Sequence, residues 1–245
     1  MTRKQSFLSG LKDGMPICFG YFAVSFAFGI QAAGIGLSVF EASVLSALNV
    51  TSAGQFAALA IIASGASLIE LAFTQLIINL RYFLMSCALS QKLSPSLPLG
   101  HRLGIAYGMT DEIFAVSVSQ REPLSPFYSY GLIAVAIPGW VLGTALGAAA
   151  GNILPAVLTN ALGIAIYGMF IAIILPPAKE NRVVAGVVVL SMVLSALFTY
   201  LPVLCNISSG FRIIVITLIT AGGAALLFPI PDEPAEPEKE MPHES

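Results

Sequence analysis

Charge is scarce in this chain: Asp, Glu, Lys and Arg make up 10% of its 245 residues. A soluble globular domain carries about 25%, because its surface must face water. Histidine is scarcer still, with two residues, His101 and His243, the second in a polar tail. The three cysteines, Cys18, Cys87 and Cys205, are odd in number, far apart and embedded in apolar runs, so no disulfide framework is implied. There is no Cys/His cluster with metal-ligand spacing, no G-x-x-x-x-G-K phosphate loop and no dinucleotide fingerprint. Metal, nucleotide and nucleic-acid chemistry therefore have no visible foothold. What the chain has instead is apolar residues, 57% of the total, and a mean hydropathy of +0.88. That composition defines a polytopic membrane protein. At about 20 residues per crossing, the length permits about ten crossings at most.

Charges, prolines and glycines divide the chain into segments. A basic N-terminus, 1–14, precedes a first span over 15–37, opened by Pro16 near a helix start, where its missing N–H costs least. That run is too long for a signal-peptide core, so a retained span is expected. Residues 43–65 and 67–90 follow, with little more than Gly65 between them, then a polar loop over 91–103. Residues 104–119 are apolar but hold Asp111 and Glu112. Further spans are expected at 127–150, 156–176, 183–204 and 212–229. From Pro229 onward, prolines alternate with acids, so 230–245 reads as a disordered tail on a single helical domain covering 15–229. The tail holds six of the thirteen acids and one lysine, leaving residues 1–228 with ten basic and seven acidic side chains. The pI of about 5.6 thus describes the appendage and not the membrane body. The fold class is all-α, with six to eight transmembrane segments.

Three segments resist reading as ordinary spans, one of them 67–90, which holds Glu70, Gln75, Asn79 and Arg81. Segment 43–65 carries Ser46, Asn49, Thr51, Ser52, Gly54 and Gln55 within ten residues, and 104–119 is short and carries Thr110, Asp111 and Glu112. Backbone at membrane depth must satisfy its own hydrogen bonds, so breaks here require a protein-lined cavity. Loop charges bear on the same point. With eight spanning segments and the N-terminus inside, seven Lys and Arg fall inside and three outside. If 43–90 makes one net crossing with a re-entrant hairpin and 104–119 does not span, the count becomes nine to one. Both arrangements place the two termini in the cytoplasm.

The ionisable residues inside apolar segments carry the functional expectation, because such groups are costly there. Glu70 and Arg81 are three helical turns apart, about 16 Å along the axis, too far to pair directly. Arg81 can instead snorkel to an interface. Asn79 lies opposite Glu70 on the helical wheel, which predicts protein on both sides of this segment. Asp111 shares a helical stripe with Gly104, Gly108 and Ala115, which would let a neighbouring helix approach and desolvate its carboxylate. The competing reading makes Thr110-Asp111-Glu112 a hydrated, cap-like cluster. A half-helix starting or ending within Asn49–Gln55 would aim backbone N–H groups into the membrane interior, suited to a substrate carboxylate; interhelical hydrogen bonding is the alternative. Gly143, Gly147 and Gly151 form a double GxxxG stripe, read as packing. Trp140, at one end of a span, reads as an anchor.

The Gly14/Pro16 start, the Ala53-Gly54-Gln55 step, the Asn79-Leu80-Arg81 triplet and the Thr110-Asp111-Glu112 triplet resemble the AzlC family of bacterial inner-membrane proteins in order and spacing. The resemblance covers most of the chain apart from the acidic tail. It implies a permease component exporting branched-chain amino acids, together with a small hydrophobic partner of the AzlD type. The family often has His after the arginine where this chain has Tyr82, which weakens any case for a histidine proton relay there. The expected substrate-binding residues are Asn49, Ser52, Gly54, Gln55, Asn79 and Arg81. The expected proton-coupling residues are Glu70, Asp111 and Glu112, with no cofactor or metal. A carrier of another small amino acid or organic acid, and a non-transporting assembly subunit, stand as alternatives. An enzyme is not expected, since His101 lies in a loop with no nucleophile motif beside it.

Overall fold

The computed structural model describes residues 2–120, 123–151, 171, 174–201, 204 and 206–229. Within them the chain is an all-α, polytopic membrane protein. Five helices are long and apolar enough to cross a bilayer: Arg3–Gly34, Leu68–Lys92, Pro126–Gly151, Arg182–Tyr200 and Gly210–Leu227. The span expected at 156–176 and the tail at 230–245 fall almost wholly outside the described residues. The burial pattern inverts that of a soluble protein. Ser25, Ser46, Gln55, Thr74 and Thr144 are fully buried, whereas Phe40, Leu68 and Leu226 are 76–85% exposed. Such a surface suits lipid, and buried polar groups there need protein partners.

Helix α1 (Arg3–Gly34) and helix α7 (Pro126–Gly151) form the central seam. They run parallel: Gly131 abuts Phe7 and Gly10, Gly139 abuts Cys18, Gly147 abuts Phe26, and Gly151 abuts Ile30 and Ala33. At Gly10, Gly29, Gly131 and Gly147 an added Cβ would run into the partner helix's backbone. The GxxxG stripe is therefore a packing surface, and it continues beyond the three glycines that define it. The first span starts much earlier than expected. Its capping box is Thr2 with Gln5, so residues 3–14 are its first turns and Pro16 lies in its interior. Ser6, Gly10 and Gly14 are buried, and docking on α7 offsets the hydrogen bond that Pro16 removes.

The region between the two seam helices contains two hairpins that enter from opposite faces. Helix α2 (Val39–Leu48) descends from the end of α1, starting with a Ser38/Glu41 capping box. It stops at Asn49, and helix α3 (Ser52–Ala63) returns to the level it left: Leu59 packs with Phe28, Ala32, Ala42 and Ala148. The outer joints use Gly36 and Gly65 at φ +91° and +66°, backbone that a Cβ disfavours. Helix α4 (Leu68–Lys92) then makes the return crossing. It ends beside the start of α7, where Leu124 N–H donates to the Lys92 carbonyl at 2.9 Å. From that face, helix α5 (Leu99–Tyr107) rises, breaks at 108–110, and helix α6 (Asp111–Val118) descends again. The tips meet, with the Tyr107 hydroxyl donating to the Ala47 carbonyl at 2.6 Å.

Helix α8 (Arg182–Tyr200) and helix α9 (Ser209–Thr217) follow, and α9 continues through a π-helical turn (Leu218–Gly222) into helix α10 (Gly223–Leu227). Arg3, Lys92 and Arg102 share one face. Arg3 lies over the Phe127 ring at 5.3 Å, Lys92 bonds the Val118 carbonyl, and Arg102 bonds the carbonyls of Ser94 and Leu97. Over residues 38–118 this is the re-entrant arrangement that the loop charges favour.

Two expectations change. Helix α4 is not enclosed by protein: Ile69, Phe73, Leu76, Leu80, Phe83 and Leu84 form an exposed apolar face, each at least half exposed. Its polar residues gather on the opposite side. The stripe Gly104–Gly108–Asp111–Ala115 does not exist as one face either, because the helix breaks after Tyr107. Gly104 and Gly108 instead fit against Tyr130 and Ile133 of α7.

The topology predicts side-specific labelling in a chain whose native cysteines are replaced. Ala66→Cys should react with an impermeant maleimide from one membrane face and Ser96→Cys from the other; reaction of both from one face contradicts the hairpins. Gly147→Ala should lower stability by about 1–3 kcal/mol by overpacking the seam, read by thermal unfolding in detergent. Gly186→Ala, with no atom in the way, should be neutral or slightly stabilising.

Candidate functional site

The two hairpin tips present half-helix N-termini to one cavity. Both are capped by threonine: Thr51 Oγ1 accepts from Gly54 N–H at 3.5 Å, and Thr110 Oγ1 from Ile113 N–H at 3.3 Å. The local sequence explains both breaks. Thr-Ser-Ala-Gly and Thr-Asp-Glu-Ile are helix-start signatures set in the middle of apolar runs. Each cap is also held by a tyrosine from a crossing helix. The Tyr82 hydroxyl donates to Thr51 Oγ1 at 3.2 Å. The Tyr21 hydroxyl lies 2.5 Å from Thr110 Oγ1 and 2.6 Å from Glu112 Oε2, its one proton shared between them.

The cavity, about 40 Å³, is lined by Tyr21, Val24, Val50, Thr51, Ser52, Tyr82, Thr110, Asp111, Glu112 and Trp140. Two acids, Asp111 and Glu112, line it, and a cation stands beside them. Arg81 Nη2 pairs with Asp111 Oδ2 at 3.0 Å, with both side chains a little under half exposed. The guanidinium lies over the Tyr82 ring, 4.8 Å from its centre, and donates to its hydroxyl at 3.0 Å. Trp140 meets the Tyr21 ring edge-on, centroids 5.3 Å apart and planes at 75°. The indole is buried, and its N–H has no acceptor among the described residues.

Behind the α3 tip lies an amide network. Gln75 of α4 accepts from Asn49 and Asn79, both at 3.2 Å, and donates to the Gly54 carbonyl at 2.7 Å. Gln55 donates to the Asn49 carbonyl at 2.5 Å and to Ser46 Oγ at 3.2 Å. Ser46 in turn shares a proton with Thr144 of α7 at 2.6 Å. These contacts satisfy the backbone that the break at 49–51 frees, and they fix the direction of α3.

The structure thus brings together Ser52, Asp111 and Glu112 on the cavity wall, with Arg81 beside it, paired to Asp111. Asn49, Gly54, Gln55 and Asn79 form its backing layer. Glu70 stands apart from both: it is 5% exposed, and its Oε1 accepts from Gly210 N–H at 2.8 Å, capping the N-terminus of α9. The cap-like reading of Thr110-Asp111-Glu112 describes the local geometry, but at the cavity and not in a hydrated loop. Sequence reasoning missed Tyr21, Tyr82 and Thr110 as site groups and placed Trp140 as an anchor.

The fold and this site define a transporter-like membrane protein, built on paired half-helices at membrane depth. A model of the family described as AzlC protein matches residues 16–154, and the chain belongs to that family. It is 35% identical over 189 residues to an uncharacterized membrane protein of Archaeoglobus fulgidus, covering 76% of this chain and 83% of that one. It is 31% identical over 185 residues to the inner membrane protein YgaZ of Escherichia coli K12, covering 72% and 75%. No solved structure matches.

The ion pair predicts coupled stability effects. Arg81→Gln and Asp111→Asn should each destabilise the purified protein, and the double variant should recover part of the loss. A coupling energy of about 0.5–1 kcal/mol is expected, obtained from a thermal-unfolding cycle; strict additivity would show that the pair contributes nothing.

Proposed function

We propose that this chain is the permease component of a branched-chain amino acid exporter in the bacterial inner membrane. It carries valine, leucine and isoleucine, is driven by protons, and works with a small hydrophobic partner of the AzlD type. The supporting observation is one cavity, placed where two half-helices meet, lined by Asp111 and Glu112 among hydroxyl and apolar groups, with Arg81 beside it, paired to Asp111. A branched-chain amino acid is a zwitterion with an apolar side chain, and its needs match those groups. Half-helix N-termini at the bilayer midplane are the arrangement by which carriers hold anionic substrate groups.

The cavity has an inner volume of about 40 Å³, small beside an amino acid. Separation of the two tips would enlarge it, as alternating access demands. Proton coupling falls to Asp111 and Glu112 on α6, with Glu70 serving the packing of α9 on α4. The face carrying Arg3, Lys92 and Arg102 is the cytoplasmic one, because short basic loops stay inside. Both termini are then cytoplasmic. No catalytic step is assigned to any residue.

Cells loaded with valine- and leucine-containing dipeptides provide the test. Expression with a small membrane protein of the AzlD type should lower intracellular valine and leucine relative to cells lacking the gene. Asp111→Asn should leave the pools as high as in those cells while the protein remains in the membrane. Glu70→Gln keeps an acceptor for Gly210 and should retain export. Unchanged pools in every combination would remove the branched-chain assignment.

A further inference from the structure

The two acids at the cavity have different kinds of partner. Asp111 is paired with Arg81 at 3.0 Å. A guanidinium only donates, so a proton on Asp111 would break the pair and strand the cation. Glu112 has no ion-pair partner among the described residues; its Oε2 lies 2.6 Å from the Tyr21 hydroxyl. A phenol hydroxyl donates to a carboxylate and accepts from a carboxylic acid, so Glu112 gains and loses a proton without stranding its partner. Glu112 is also exposed, which gives water access to it. The titratable groups around it are Tyr21 from α1, Arg81 and Tyr82 from α4 and Asp111 beside it on α6; the α3 tip and α7 bring only Val50, Thr51, Ser52 and Trp140 to the cavity.

We propose that Glu112 is the seat of the coupled proton, and that Tyr21 is the positioning residue through which this proton loosens the α6 tip from the α1–α7 seam. The proposal rests on the proton-driven carrier reading above and chooses between its two acids. Tyr21 is 7% exposed and packs edge-on against Trp140 of α7, so it belongs to the seam. Its hydroxyl also lies 2.5 Å from Thr110 Oγ1, which accepts from Ile113 N–H. With Glu112 ionised, the hydroxyl of Thr110 donates to Tyr21 and that of Tyr21 to Glu112, so the chain ends on a charge. When Glu112 takes a proton from water, both bonds reverse: Glu112 donates to Tyr21, and Tyr21 to Thr110. A hydrogen bond to a charged group is about twice as strong as a neutral one, so protonation weakens the tie between α1 and α6. Asp111 stays on Arg81 and keeps α6 with α4, so the cavity opens on its seam side. Loss of the proton to water restores the tie.

Two spectroscopic titrations of the full chain in lipid nanodiscs test this without any substrate, so their failure is distinguishable from failure of the branched-chain reading. Infrared difference spectra across a pH titration follow the C=O stretch of protonated carboxyl groups. Glu112→Gln should remove one titrating band, and Asp111→Asn should leave that band in place. Tyr21→Phe should keep the band and shift its frequency, since Glu112 loses its hydroxyl partner. Trp140 is the chain's single tryptophan and touches Tyr21, so its emission reports the seam side of the cavity. In the unaltered chain, acidification should move that emission to longer wavelength as water enters. Glu112→Gln, which resembles the protonated acid, should show the acid-side emission at every pH, and Tyr21→Phe should abolish the pH response. Asp111→Asn should still respond to pH. A band lost in Asp111→Asn but kept in Glu112→Gln would overturn the assignment of the proton. Emission that ignores pH in the unaltered chain, or follows it unchanged in Tyr21→Phe, would overturn the role of Tyr21.

Discussion

A helix that stops halfway through a bilayer leaves peptide groups without partners where no water can supply them. Most of this structure follows from how two such ends are satisfied. Thr51 and Thr110 cap them from within. Tyr82 and Tyr21 hold the caps from neighbouring helices, Gln55 takes up the Asn49 carbonyl that the first break exposes, and Gln75 braces α3 at the Gly54 carbonyl. Polar side chains in the first half of the chain are therefore not scattered through its spans. They are the support of two helix ends, and the cavity is the space those ends enclose.

The supports come from different helices, and the α3 tip is also joined to the seam through Gln55, Ser46 and Thr144 of α7. The α6 tip is tied through Tyr21 to α1, and so to the glycine seam with α7. The α3 tip is tied through Tyr82 and Gln75 to α4. Between them stand the Arg81–Asp111 pair and the Tyr107–Ala47 bond. A half-exposed ion pair contributes little to stability, which suits a contact that must open and reform. The seam is the opposite kind of contact, with helices at a spacing that excludes even an added methyl group.

The sequence discloses the spans because apolar runs of the right length have few other uses, and it discloses both hairpins because Asn49–Gln55 and Thr110–Glu112 are polar where lipid forbids it. Loop charges favour the same topology. Single-residue features were harder to read. Pro16 resembles a helix start, yet it lies inside a helix whose early turns are buried by α7, a contact more than a hundred positions away. The glutamate at 70 has a partner 140 residues later, invisible to any local pattern. The aromatic residues at 21, 82 and 140 look like ordinary wall material. What marks them is the fold, which brings a hydroxyl to a helix cap or leaves an indole N–H facing no acceptor. The one local signal available for the site was the paired Thr starts, each a cap motif in a place where a soluble protein would never need one.

The parallel seam also governs how the chain can assemble. Helix α1 enters the membrane first, but its glycine face has no counterpart until α7 has been synthesised. In the interval both hairpins must be threaded into a bilayer whose scaffold is half built, with the polar tips unsupported on one side. Closing the seam is thus a late, long-range event with a large loop to order. The chain depends on α7 to convert a set of loosely held segments into a protein, and residues there bear on biogenesis as much as on packing.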